Sequence, residues 1–285
     1  MPIDVVTRNN VKISGSGEQT IILAHGFGCN QSVWRFMVPL LEEKYRVIQF
    51  DYVGCGNSDF SAYKEARYSG LEGYALDIIE ICDALSLTQS IFVGHSVSCT
   101  IGWIVAQQRP ELFSNMVAIC PSPCFLNIDA QYQGGFEKST LEKLIDLMRK
   151  DFIGWGNYLA PLIAKESILH PESQSKSEGT VLNEILTTFC SNDVIYSKPF
   201  ASATFLSDYR HLLPQVTTPN LVLQSANDVL VATSIGQYTQ QNLPNAMLEI
   251  IEASGHCLHL SHPMHVVTCL NAFVEEHTAV LTISQ

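Results

Sequence analysis

The sequence predicts an α/β fold, a mostly parallel sheet covered by helices on both faces, with an inserted helical lid. Three observations predict it. Short, fully apolar runs alternate with segments of helical periodicity in the first 120 or so residues, as strands buried on both faces require. No convincing strand occurs between Pro121 and about His211. The alternation then resumes to the end of the chain. The expected organisation is a first core part at 1–121, a lid at 122–211 and a second core part at 212–285.

Gly15-Ser16-Gly17 is a hairpin signal. Ile21 to Ala24 reads as a buried strand, Ser32 to Glu43 as a helix, and Tyr45 to Phe50 as the next strand. Leu71 to Leu85 carries Leu71, Ala75, Ile78, Ile79, Cys82 and Leu85 at helical spacing. Ile91-Phe92-Val93 is a short strand running straight into a helix from Ser96 to about Gln108. Arg109-Pro110 stops that helix, because a residue before proline avoids the α region. Asn115 to Ile119 is a further strand. In the insertion, Ser139 to Lys150 is helical, and the polar, Ser-rich Glu172–Gly179 reads as an exposed loop. Asn220 to Gln224 and Met247 to Ile251 are strands, with helices near Ser234 to Gln241 and from about Pro263 to Glu276.

Composition narrows the function. The chain has 285 residues, 46% hydrophobic and 15% charged, with a formal net charge of −12. That balance disfavours nucleic acid and anionic membranes, both of which need clustered cations. No apolar run approaches the length of a membrane span and the start carries no signal-like core, so a cytoplasmic location is expected. Nine cysteines fall at irregular spacings without a C-x-x-C pair, which suits reduced thiols in a reducing compartment.

Val93-Gly94-His95-Ser96-Val97-Ser98 sets a serine on a strand-to-helix turn, the arrangement that strains a nucleophile and exposes its hydroxyl. Glycine at 94 has a steric reason, and Ser98 stands where the G-x-S-x-G pattern has glycine. His25-Gly26-Phe27-Gly28 follows the first strong strand, so the Phe27 and Val97 amides are candidates for the two donors of an oxyanion hole, with His25 bracing the loop. The chain order Ser, acid, His then selects Asp228, just past the strand Asn220–Gln224, and His256, in the loop after Met247–Ile251. Asp193 and Asp208 lie in the insertion and fit less well. His256, His259, His262 and His265 recur every third residue, but Pro263 interrupts any helix and no acidic partner lies among them, so no metal is expected. No cofactor is implied either. Asp51 to Ser58 is a tight structural loop rather than a phosphate cradle. The insertion is rich in large apolar residues, among them Phe125, Phe136, Trp155, Leu159, Phe189 and Phe205. A lid of that composition makes a dry pocket suited to a small hydrophobic ester or lactone.

His25 to Trp34, Phe50 to Gly54, Val93 to Val97, Arg109 to Phe113, Pro121 to Pro123, Tyr132 to Phe136, Phe205 to Asp208, Leu223-Gln224 and Gly255 to Cys257 together resemble the RsbQ group of bacterial stress-response regulators of the α/β-hydrolase fold. The same set is similar to the plant karrikin and strigolactone receptors, in which serine also occurs at the place of Ser98. The resemblance implies a four-helix lid, a triad of Ser96, Asp228 and His256, and a pocket faced by Phe27, Phe125, Phe136 and Phe205, to which the lid's Leu159 is added. It also implies signalling through a protein partner, in the bacterial group a phosphatase with a sensor domain. Three activities are compatible with these residues: a serine hydrolase, a ligand-binding regulator with slow or vestigial hydrolysis, and cofactor-free perhydrolase chemistry.

Overall fold

A computed structural model describes residues 4–164, 181–190 and 193–283. The chain opens with a single helical turn, α1 (Val5–Arg8), capped by the Asp4 carboxylate, and a short exposed strand, β1 (Lys12–Ser14). Apolar strands follow: β2 (Thr20–Ala24) and β3 (Arg46–Gln49), joined through a 3-10 turn at Gln31–Trp34 and the short α2 (Val38–Leu41). Next come α3 (Leu71–Ala84), β4 (Ser90–His95), α4 (Val97–Gln108) and β5 (Phe113–Ile119). Among the described residues four helices then intervene: α5 (Lys138–Lys150), α6 (Phe152–Ala164), α7 (Val181–Cys190) and α8 (Val194–Phe205). The chain closes with β6 (Asn220–Asn227), α9 (Thr233–Asn242), β7 (Ala246–Ser254), the single turn α10 (Leu258–Ser261) and α11 (Pro263–Ile283).

The seven strands form one sheet in the order β1-β3-β2-β4-β5-β6-β7, parallel throughout except for β1. Every residue of β4 is buried, as the continuous apolar run requires of a central strand covered on both faces. Between β5 and β6 the described residues contain isolated bridges such as Cys124 to Asp208, but no named strand. The strand order reverses between β2 and β4, which lie side by side with Ala24 opposite Gly94. That reversal opens a crevice at the strands' C-terminal ends.

Two expectations are corrected. The helix expected over Ser32–Glu43 is two pieces. Asn30 accepts a bond from the Ser32 amide to start the 3-10 turn, and Pro39, lacking an amide hydrogen, can only begin a new helix. The glycines at 15 and 17 make no hairpin between neighbours, because β1 pairs antiparallel with β3 and lies two strands from β2. Gly17 is instead pressed against the Lys44 carbonyl, where an added Cβ would fall 2.0 Å from the oxygen. The loop expected at Glu172–Gly179 lies outside the described residues. No described helix is long and apolar enough to cross a membrane.

Candidate active site

Four loops meet at the C-terminal edge of the sheet. At the end of β4, Ser96 has φ 56° and ψ −121°, a left-handed conformation that costs a non-glycine residue on the order of 1–3 kcal/mol. The Ser96 amide donates to the Ile119 carbonyl at 2.9 Å, closing the turn onto β5. A Cβ at Gly94 would lie 2.8 Å from the Cys99 nitrogen, so only glycine lets α4 start this close to its strand. Val97 is the first residue of α4, and the first amides of a helix have no intrahelical acceptor.

Ser98 is fully buried, and its hydroxyl donates to the His25 carbonyl at 2.5 Å and lies 2.9 Å from the Tyr52 hydroxyl. This serine therefore ties the nucleophile helix to the loop after β2 and to the loop after β3, which a glycine could not do. The His25 ring is fixed as well. Its Nδ1–H donates to the Gly26 carbonyl at 2.9 Å, and its Nε2 accepts from the Tyr52 amide at 3.4 Å. His25 braces the turn that carries Phe27. Asp51 pins the loop beneath, accepting from the Gln31 amide at 2.8 Å and from the Asn57 amide at 2.9 Å.

Asp228 and His256 come together after β6 and β7. Asp228 Oδ1 accepts from the amides of Leu230 and Val231 at 2.8 and 3.1 Å, and Oδ2 accepts from His256 Nδ1 at 2.6 Å. With its proton on Nδ1, the imidazole presents Nε2 as a lone pair, and Nε2 has no partner among the described residues. The His256 main chain is held from two sides. Its amide donates to the Ile163 carbonyl of α6 at 2.8 Å, and its carbonyl accepts from His95 Nε2 at 3.0 Å.

Cys120 Sγ, an Asp228 oxygen and a His256 nitrogen lie within 4.8 Å of one another. Burial pushes the Cys120 thiol well above its ordinary range, so it stays protonated, and the carboxylate's acceptors are already taken by three N–H groups. The donor set is that of a hydrogen-bonded acid and base rather than of a cation cage.

Ser96 and His256 line one cavity, together with Phe27, Cys29, Ile163 and Phe189. Phe205 and Leu230 join its wall to a second cavity, lined by Phe136, Leu159, Trp155 and other apolar side chains. Phe27 is gripped by the insertion, with ring centroids 5.3 Å from Phe205, 5.5 Å from Phe200 and 6.0 Å from Trp155. One pocket assignment is corrected: Phe125 packs behind Phe205 at 5.0 Å, is 1% exposed and lines neither cavity.

The histidines of the repeat have different surroundings. His259 is wholly buried between Trp34 and His95, at ring distances of 4.7 and 4.3 Å, and neither ring nitrogen has a partner among the described residues. Burial is the main cause that lowers it to about 3, so it stays neutral. His262 bonds Ser261 Oγ at 2.9 Å, and His265 is exposed. Sequence reasoning passed over Tyr52 and His95. The only signal for the first was the serine where glycine was expected, and for the second its place beside the nucleophile.

A family model of the alpha/beta hydrolase fold matches residues 19–263. The chain is 37% identical to the Karrikin insensitive 2 receptor CA of Petunia hybrida, over 95% of this chain and 97% of that one. It is 34% identical to the Strigolactone esterase D14 of Arabidopsis thaliana, over 92% and 94%. A solved hydrolase from Oleispira antarctica is similar at a TM-score of 0.88 and 48% identity, covering 95% of this chain and 96% of that one.

Proposed function

The chain belongs to the alpha/beta hydrolase fold family, and from that premise we propose that it is a serine hydrolase that cleaves a small hydrophobic ester or lactone through an acyl-Ser96 intermediate. One observation carries the reading: an imidazole held by Asp228 through Nδ1–H offers an unpartnered Nε2 to the cavity it shares with the strained Ser96. In the reaction, Ser96 Oγ attacks the carbonyl carbon while His256 Nε2 takes its proton. Asp228 keeps the tautomer and stabilises the imidazolium. The Phe27 and Val97 amides receive the oxyanion, each donor contributing roughly 3 kcal/mol to lowering the barrier. His256 returns the proton to the leaving oxygen, and a water repeats the sequence to free the acid.

The described helices of the insertion, α5 to α8, act as a lid over this centre. Its aromatic contacts with Phe27 and the apolar second cavity favour an uncharged substrate. The test is burst kinetics with p-nitrophenyl butyrate and intact mass of the quenched protein. A stoichiometric burst and a butyryl adduct on Ser96, both lost in Ser96→Ala, are expected. A wild-type protein without a burst or adduct overturns the reading.

A second reading is favoured by the relative named as a receptor. In it the chain is an RsbQ-like regulator in stress-response signalling, where occupancy of the cavity is the signal and a protein such as a sensor phosphatase reads it. Ligand-dependent partner binding that survives Ser96→Ala would select it over turnover alone.

A further inference from the structure

The residue before the nucleophile is buried, and its imidazole meets three parts of the site at once. His95 precedes Ser96 in the turn and is 3% exposed. Its Nε2 lies 3.0 Å from the His256 carbonyl oxygen. A carbonyl can only accept, so the proton sits on Nε2 and the bond runs from His95 to the base loop. That leaves Nδ1 as a lone pair, which faces the loop after β2. A Cβ at Gly26 would fall 2.5 Å from this atom, so the missing side chain at 26 is what lets the imidazole lie between the two loops. The His95 ring is 4.9 Å from the His256 ring and 4.3 Å from the His259 ring.

From this juxtaposition we propose that His95 is a positioning residue for the hydrolysis proposed above: its Nε2–H···O=C bond sets the depth of the His256 loop relative to Ser96. The inference rests on that hydrolase reading. Ser96 is fixed to β4 and β5 by its own backbone, whereas His256 sits on a loop whose main chain is tied to β6 through the Gly255 amide and the Asn227 carbonyl at 3.2 Å, and at His256 itself to α6 and to His95. The anchor on α6 belongs to the insertion, so the bond from His95 is the one that refers the base to the strand bearing the nucleophile. Burial holds the imidazole well below its ordinary pKa, keeping it neutral and in the tautomer the bond demands.

The test compares two polar replacements of different reach. In His95→Gln the amide nitrogen can occupy the place of Nε2 and donate to the same carbonyl. In His95→Asn it stops short. Active sites are first titrated with a fluorophosphonate, so that rates refer to folded, labelled protein, and p-nitrophenyl butyrate hydrolysis is then measured. His95→Asn should lose roughly 100-fold in kcat at unchanged KM, the scale of a misplaced catalytic group, while His95→Gln should stay within about fivefold of wild type. Equal kcat in the two variants, or a loss confined to KM, would overturn the positioning role while wild-type turnover leaves the hydrolase reading standing. A wild-type protein that the fluorophosphonate leaves unlabelled at Ser96 overturns both.

Discussion

The two walls of the reaction cavity are built by different physics. On the sheet side, directional bonds dominate: Ser98 to His25 and Tyr52, the Asp51 carboxylate to two loop amides, and Asp228 to three N–H groups. On the insertion side, the contacts are rings against rings, Phe27 with Trp155, Phe189, Phe200 and Phe205. Buried hydrogen bonds tolerate little displacement before they are lost, whereas the apolar burial these rings contribute is non-directional and gives way gradually. The same molecule thus keeps a fixed reacting centre beneath a ceiling whose shape can be revised by substitution.

The sharpest way to break this comparison is to spoil one directional bond without changing volume. Asp228→Asn should lower kcat by about 10⁴ with the fold intact, because the amide favours the wrong imidazole tautomer. Steady-state hydrolysis and circular dichroism check it. Ser98→Ala comes next. It strips the His25 carbonyl and the Tyr52 hydroxyl of their shared partner, and a loss of about 3 kcal/mol in urea unfolding is expected from buried polar groups left unpaired.

A third prediction concerns acid. His259 takes its proton at about 3 in the fold, chiefly because it is buried and then because of nearby His256 and Arg35, against an ordinary 6.5. A lowered folded pKa means the unfolded chain binds the proton first as the pH drops. Stability is therefore complete above 6.5 and declines from there towards 3. The expected decline from this residue between pH 7 and pH 5 is about 2 kcal/mol. His259→Phe, which keeps a ring against Trp34, should remove that part of the slope in paired urea titrations. The smallest effect is expected on the ceiling. Phe189→Leu should raise KM roughly fivefold and leave kcat unchanged, as the loss of apolar contact alone would. A kcat effect as large as that of Asp228→Asn would erase the distinction between the walls.

The strands were legible because β2, β4, β5 and β6 are buried on both faces and so are written as unbroken apolar runs. The positions of Ser96, Asp228 and His256 were readable for a related reason: each lies just past a strand, β4, β6 or the half-exposed β7, and strand ends converge. What stayed hidden depends on partners distant in sequence. Nothing near Ser98 announces Tyr52, 46 residues earlier, and nothing near His95 announces a carbonyl 161 residues later. Phe125 was misplaced because apolar character reports burial without telling whether the ring faces a hollow or another ring. The exposed β1 and the one-turn α1 carry too little pattern to stand out from loop.

The amide of His256 donates a hydrogen bond to the carbonyl of Ile163, a residue of α6 that lines the cavity. On the hydrolase reading proposed above, whatever fills that hollow and shoulders this helix aside also tugs, through one peptide link, on the base, so that the shape of the guest bears on the rate of its own cleavage.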